Sequence, residues 1–152
     1  MVCVDAHFPN IQRTSNNMER NDVDGSIWQC AIAKEIGTRQ FSGQSNGRLI
    51  QSGGVEVQAK RLVDIMPQAT VVKLDIEGAE FEVLPNAVDD LYQCHTWIVE
   101  AHPNAGNPTK LVALFQSRGF DVLHVDRHQM RVREFVPGTI WDTQSTIIAR
   151  RA

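Results

Sequence analysis

The sequence predicts an α/β protein with a mostly parallel sheet, helices on both faces and an antiparallel hairpin at its C-terminal end. Short apolar runs alternate with helical or turn-rich segments, which is typical of strand–helix–strand units. The run TVVKLDI at 70–76 is almost continuously apolar, as in a strand that is covered on both faces. The last part of the chain predicts antiparallel strands and not strand–helix–strand units. Turns, and not helices, separate its apolar runs FDVLHVD, RVREFV and STIIAR.

The N-terminal part of the chain predicts two strands around a helix. VCVD at 2–5 forms a strand that stops at the turn-like AHFPN. A polar helix is expected from Pro9 to about Arg20, because Asn21 to Gly25 can end it. SIWQCAIA at 26–33 is rich in β-forming residues and predicts the second strand.

The middle of the chain predicts a strand and a short helix before the long apolar run. VEVQA at 55–59 alternates as a strand does. A short helix follows near Arg61–Met66, and Pro67 ends it. After TVVKLDI, the apolar residues from Phe81 to Leu91 predict a helical segment that Pro85 and Asn86 break or kink.

The C-terminal part predicts one more strand and helix before the antiparallel tail. TWIVEAH at 96–102 reads as a strand that ends in polar residues. PTKLVALFQSRGF has helical spacing of its apolar residues, with Gly119 placed as a C-cap. The last two strands are joined through PGT and Trp141, which could line a cleft.

Composition narrows the class of protein. A chain of 152 residues favours a single domain, here 1–152, with a core of its own. A net charge of −3 gives no reason to expect binding to nucleic acid or to an acidic membrane surface. No apolar run approaches the roughly 20 residues that span a bilayer. Three widely spaced cysteines without a CxxC motif favour free thiols and a cytoplasmic location.

Acidic residues stand at the ends of three predicted strands. Asp5 ends the first, Asp75 and Glu77 end TVVKLDI, and Glu100 with His102 ends TWIVEAH. In open α/β sheets, ligands bind outside the carboxyl ends of the strands. Asp75 and Glu77 are two residues apart, so both point to one face while the chain is extended. We therefore expect a functional site at this edge.

Each of these groups also has a purely structural explanation. Asp75 can cap the following helix, Glu80 can be a first-turn carboxylate, and Asp5 can belong to a strand-to-loop turn. His102, which precedes Pro103, can be an exposed loop histidine. These explanations account for single acids better than for acids at three strand ends.

The segment VVKLDIEGAEFEVL at 71–84 closely resembles the signature of the FkbM-type methyltransferases. That signature is an apolar strand, then Lys-apolar-Asp-apolar-Glu-Gly-Ala-Glu, then an apolar helix. Three further segments resemble other parts of the family's pattern. The family's next strand is similar to WIVEAHP, and its second strand is similar to VCVDAHFPN. The strand and short helix before the signature are similar to VEVQAKRLVDIMP. The resemblance covers most of the chain and is specific at 71–84.

The resemblance implies a Rossmann-like sheet and an O-methyltransferase that uses S-adenosylmethionine. The acceptor would be a hydroxyl of a sugar or polyketide-like small molecule. Asp5 would bind the two ribose hydroxyls of the cofactor, and Ala31 and Ile32 would form an apolar wall beside the adenine. Asp75 and Glu77 would face the methionine end of the cofactor and the incoming acceptor.

The resemblance implies catalytic roles for Asp75, Glu77, Glu100 and His102 and assigns no metal ion. Methyl transfer to a hydroxyl usually needs help in removing its proton. Glu77, Glu100 and His102 are the candidate bases, and His102 is best matched to neutral pH.

The sequence departs from the family at its start. Members begin with one more strand and a glycine-rich turn that approaches the methionine part of the cofactor. This chain starts at the strand that would come second and contains no GxG, so we expect an N-terminally truncated domain.

Two other functions stay open at this point. A truncated domain could survive as a non-catalytic binding or dimerising module, which leaves formation of a homo-oligomer open. A divalent-metal hydrolase or phosphotransferase is the other, because Asp75, Glu77, Glu100 and His102 could converge as oxygen and imidazole ligands.

Overall fold

The computed structural model describes residues 1–126, 131–136 and 145–151 of an α/β protein. The chain forms two compact units, Met1–Met66 and Pro67–Ala152. The expected single-domain organisation stays a prediction. The PGT turn and Trp141 lie outside the described residues. Within the described ranges, no helix combines the length and the apolar character that crossing a membrane requires.

The first unit contains a parallel βαβ arrangement and a second, separate sheet. In chain order the elements are β1 Val2–Asp5, α1 Phe8–Arg20, β2 Ser26–Gln29, β3 Ala31–Ile32, β4 Gly37–Phe41, β5 Leu49–Ile50, β6 Val55–Lys60 and α2 Leu62–Ile65. Strands β1 and β2 pair in parallel, and helix α1 between them buries Met18. The second sheet has the strand order β3-β6-β4-β5.

The predicted strand at 26–33 is two strands in different sheets. The chain changes partners at Cys30, whose N–H donates to the carbonyl oxygen of Asp5 (3.1 Å). Before this residue β2 pairs with β1, and after it Ala31 of β3 pairs with Ala59 of β6. β-forming residues alone cannot predict such a change, because both halves of the segment are strand.

The second unit is built on one five-stranded sheet with the order β10-β9-β11-β8-β7. β7 and β8 are parallel, whereas β11 pairs antiparallel with both β8 and β9, and β10 pairs antiparallel with β9. The predicted antiparallel end of the chain is therefore confirmed. The mostly parallel sheet of the prediction is not seen in this unit, where β7 and β8 are the one parallel pair among the described strands. The elements are β7 Val71–Leu74, α3 Glu80–Asp90, β8 Thr96–Ala101, α4 Pro108–Ser117, β9 Asp121–Asp126, β10 Arg131–Glu134 and β11 Ser145–Arg150.

The core of this unit lies on one face of the sheet. Trp97 is fully buried there and its ring lies 6.1 Å from that of Phe115 in α4. On β7, Val72 and Leu74 are buried, whereas Val71 and Lys73 are exposed. The prediction that 70–76 is covered on both faces is therefore wrong: β7 ends the sheet, and only one of its faces is covered.

Helix α3 runs from Glu80 to Asp90 with Pro85 inside it. The expected break at Pro85 is absent from this helix. Proline removes one backbone hydrogen bond, but the helix buries Val83, Leu84 and Val88 on one side, and that burial favours its continuation. Helix α4 ends as predicted, because Gly119 follows the C-cap residue with a φ of +77°.

Candidate functional site

Four of the predicted site residues lie together in the second unit, at the carboxyl ends of the parallel strands β7 and β8. Asp75 directly follows β7, and Glu77 lies two residues further on. Glu100 is the last but one residue of β8, and His102 directly follows that strand. In a parallel sheet this edge is where ligands bind.

The turn after β7 brings Glu77 back toward the strand ends. β7 ends at Leu74, so the expected extended segment through Glu77 is wrong. Instead, Glu77 has a φ of +52° and Gly78 a φ of +110°. Positive φ is costly for a residue with a side chain, so the surrounding structure must hold Glu77 in this conformation. A Cβ on Gly78 would come within 2.8 Å of the Cβ of Ala105, which makes glycine necessary there.

His102 is the centre of the cluster and is only 7% exposed. Its Nε2 atom lies 3.4 Å from Oε2 of Glu77 and 4.0 Å from Oδ1 of Asp75. Among the described residues, this buried Nε2 has no hydrogen-bond partner. The alternative of an exposed loop histidine is therefore wrong.

Glu80 fixes the orientation of His102. Its side chain is completely buried, and its Oε1 atom lies 3.0 Å from Nδ1 of His102. The same Oε1 accepts the backbone N–H of Ile76 (3.1 Å). A carboxylate oxygen accepts and does not donate, so the neutral tautomer that fits this contact has its proton on Nδ1 and its lone pair on Nε2. The sequence places Glu80 in the first turn of α3, as the structure does, but gives no sign of its contact with His102.

Asp75 lies between a cation and other acids. Burial raises the pKa of Asp75, and the negative charge of Glu100 adds to that rise. Lys73 acts in the opposite direction, with Nζ 3.8 Å from Oδ2 of Asp75. The N-cap of α3 is Ala79, so the alternative that Asp75 caps this helix is wrong.

The predicted cofactor residues of the N-terminal part lie in the first unit. Asp5 ends β1, and its carboxylate accepts the backbone N–H of His7 (2.7 Å) and the side-chain N–H of Asn10 (3.0 Å). The bond from Cys30 to the carbonyl of Asp5 brings the start of β3 to the same strand end. Ala31 and Ile32 are buried.

These residues fit an adenosyl group by their chemistry. Each carboxylate oxygen of Asp5 accepts one of these two hydrogen bonds and has a further lone pair. Such an acceptor suits the two hydroxyl donors of a ribose. Ala31 and Ile32, which follow Cys30, are apolar, as the residues around an adenine ring usually are.

Three side chains of the second unit lie close enough together to be candidate metal ligands. The ligand atoms of Asp75, Glu77 and His102 all lie within 4.8 Å of one another. This is part of the convergence that the metal hypothesis expects. Glu100 is not one of the three, although its charge acts on Asp75.

Comparison with protein families gives a match over most of the chain. The family model described as the methyltransferase FkbM domain matches residues 7–122, which include all the predicted site residues except Asp5. No curated protein and no solved structure matches the chain significantly.

Proposed function

Because this chain belongs to the FkbM methyltransferase family, we propose that it is an S-adenosylmethionine-dependent O-methyltransferase with a Rossmann-like sheet. The proposed acceptor is a hydroxyl group of a sugar or polyketide-like small molecule. When bound, the cofactor supplies an electrophilic methyl group.

The observation that carries this proposal is the cluster of Asp75, Glu77, Glu100 and His102 at one strand edge. As the acceptor oxygen gains the methyl carbon, it must lose its proton to a base. Glu77, Glu100 and His102 are the candidates, and the contact with Glu80 supports His102 in one fixed orientation. Asp75 is proposed to contact the cofactor and the acceptor from the end of β7.

In the first unit, Asp5, Ala31 and Ile32 are proposed to bind the adenosyl part. The two hydrogen bonds from His7 and Asn10 hold the Asp5 carboxylate in place before a ligand arrives. Preorganisation of this kind favours affinity, because less side-chain entropy is lost on binding.

Binding of the cofactor is tested by titrating S-adenosylhomocysteine into the protein in a calorimeter. We expect saturable heat from the wild-type chain. Asp5→Asn should weaken binding by about 10-fold or more, because hydrogen bonds to a charged group contribute about 1.5–3 kcal/mol. Asp24→Asn is the matched control, since Asp24 is an exposed acid of the same unit. No heat from the wild-type chain at millimolar ligand would contradict the proposal.

Activity is tested with cofactor labelled in its methyl group and a panel of sugar and polyketide hydroxyls. Replacing the true base by glutamine (Glu77→Gln, Glu100→Gln or His102→Gln) should lower the rate about 10²–10⁴-fold. Glu82→Gln is the control, because Glu82 is in the first turn of α3 but outside the cluster. A chain that binds S-adenosylhomocysteine and methylates nothing in the panel would instead be a binding module.

A further inference from the structure

We propose that Asp75, Glu77 and His102 bind a divalent metal ion, and that Glu80 positions His102 for this. The proposal concerns binding and does not depend on methyl transfer. It departs from the expectation, based on the resemblance, that the site holds no metal.

The first argument is the convergence of two carboxylates on one ring nitrogen. With Nδ1 of His102 directed at Glu80, the atom turned toward Glu77 and Asp75 is Nε2. An imidazole nitrogen and two carboxylates are a combination of ligands that divalent metal ions accept in proteins. A cation between these atoms would contact all three.

The second argument is the burial of His102. Its side chain is 7% exposed, and its Nε2 is a buried nitrogen without a hydrogen-bond partner among the described residues. Leaving such an atom unsatisfied costs about 1–3 kcal/mol. Exposed acidic clusters are common without ions, but a buried imidazole nitrogen directed into one requires a partner.

The distances are close to those of a metal centre. Ligands at ~2.1 Å from an ion are about 3.0 Å apart at right angles and about 3.4 Å apart in a tetrahedron. The separation between Nε2 of His102 and Oε2 of Glu77 is 3.4 Å, and that between Nε2 and Oδ1 of Asp75 is 4.0 Å. All three ligand atoms lie within 4.8 Å of one another, so side-chain rotations that draw the two carboxylates toward Nε2 would bring all three into coordination.

The surroundings match a metal site in two further respects. A histidine that binds metal usually donates its other ring N–H to a carboxylate or a carbonyl, and Glu80 accepts this bond at 3.0 Å. Lys73 approaches Asp75 at Oδ2 (3.8 Å), so it does not occupy Oδ1, the oxygen that faces His102.

The ligand set indicates the class of metal. Two carboxylates and one imidazole suit Mn²⁺ or another first-row divalent ion better than Ca²⁺, which takes oxygen ligands. Three protein ligands leave positions open on the ion for water or an acceptor oxygen. If an acceptor oxygen binds there, which rests on the proposed function, Glu100 is the candidate base, because it is not one of the three proposed ligands.

The proposal is tested by titrating the wild-type chain with Mn²⁺ alone. Electron paramagnetic resonance measures the concentration of free Mn²⁺ at each step, and the difference from the total gives the bound ion. We expect one saturable site per chain. His102→Gln and Glu77→Gln should each abolish it or weaken it strongly, and Glu82→Gln should leave it unchanged. Glu80→Gln can keep both hydrogen bonds at Oε1 and should weaken Mn²⁺ binding by about 10-fold or more.

A second measurement needs no variant, so it stands even if a substitution prevents folding. Electron spin echo of the Mn²⁺-loaded wild-type chain should show coupling to an imidazole nitrogen. No Mn²⁺ binding at millimolar concentration, no nitrogen coupling, or binding unchanged in His102→Gln would each overturn the proposal. S-adenosylhomocysteine calorimetry without metal reports separately on the proposed function.

Discussion

The two compact units of this chain differ in how completely they bury large side chains. The second unit packs α4 on a five-stranded sheet, whereas the first distributes its strands over a two-stranded and a four-stranded sheet. Among the described residues, the largest fully buried side chains all belong to the second unit: Trp97, Phe115, Leu84, Leu91, Ile147, Glu80, Val88, Val99, Val112, Pro108 and Cys94.

This difference indicates where the chain is rigid. Burial of apolar area is the main favourable contribution to folding, so the second unit should open less readily than the first. The cluster around His102 is therefore on the better-packed unit, where side chains can be held within tenths of an ångström. Asp5, proposed to bind the adenosyl group, is on the less completely buried one.

The largest expected effect comes from the same substitution made once in each unit. Phe115→Ala removes a fully buried ring that contacts the rings of Trp97 and Phe120. It should lower the free energy of unfolding by about 4–5 kcal/mol, and Phe41→Ala in the first unit by about 3 kcal/mol or less. Urea unfolding, with hydrogen exchange to locate the loss, measures both. An equal or larger loss for Phe41→Ala would contradict the comparison.

The next effect concerns the turns of the two units. Gly78 and Gly53 both have positive φ, +110° and +81°, but only Gly78 has an atom within 4 Å of an added Cβ. Gly53→Ala should cost about 1 kcal/mol from backbone strain alone, and Gly78→Ala about 2–4 kcal/mol because overlap with Ala105 is added. Thermal unfolding of the two variants gives the difference, and equal costs would show that the Gly78 turn adjusts freely.

The buried cysteines provide a pH-dependent test of the same comparison. Burial raises the pKa of Cys30 in the first unit and of Cys94 in the second above the ordinary 9.0. A raised thiol pKa stabilises the folded chain fully below the unfolded value, and this contribution is lost as pH rises through the folded value. Stability should therefore fall above about pH 9.

Alkylation with iodoacetamide at pH 8 distinguishes the units. Cys3 is half-buried and should react first, followed by Cys30 and then Cys94, which are 3% and 1% exposed. The order of the last two depends on local opening. Reaction of Cys94 before Cys30 would mean that the second unit opens first.

The smallest effect is expected from surface ion pairs. Arg118 binds Asp89 through two hydrogen bonds in the second unit, as Arg61 binds Asp64 in the first. Each pair lowers the pKa of its aspartate, so its contribution exists at neutral pH and is lost as pH falls through the lowered value. Solvent screens both pairs, so Asp89→Asn and Asp64→Asn should change stability by no more than the error of a urea titration.

The sequence predicts the elements whose signals are local. Periodicity and turn residues determine these elements. They include the strand VCVD with the helix after it, the strand TWIVEAH, and helix α4 with its end at Gly119. The change of sheet at Cys30 was not predictable, since it depends on which strands pair. The unbroken helix through Pro85 was not predicted either, because tertiary burial outweighs the lost hydrogen bond.

The site was predictable in its members but not in its geometry. Acids at strand ends indicated Asp75, Glu77 and Glu100, and the structure brings them together with His102. The backbone conformation that places Glu77 in this cluster differs from the expectation, because Glu77 is in a left-handed turn and not in an extended strand. Glu80 was weighed only as a first-turn acid, since no sequence pattern reports that its carboxylate meets a histidine 22 residues away.

The position of β7 has a consequence for the behaviour of the chain in solution. Among the described residues β7 pairs only with β8, so one row of its backbone N–H and C=O groups has no strand beside it. Such a row can template the addition of an extended peptide, from a ligand or from another copy. Lys73, which projects from this strand with its side chain 67% exposed, places a positive charge that discourages indiscriminate stacking of strands and so helps to keep concentrated protein from aggregating.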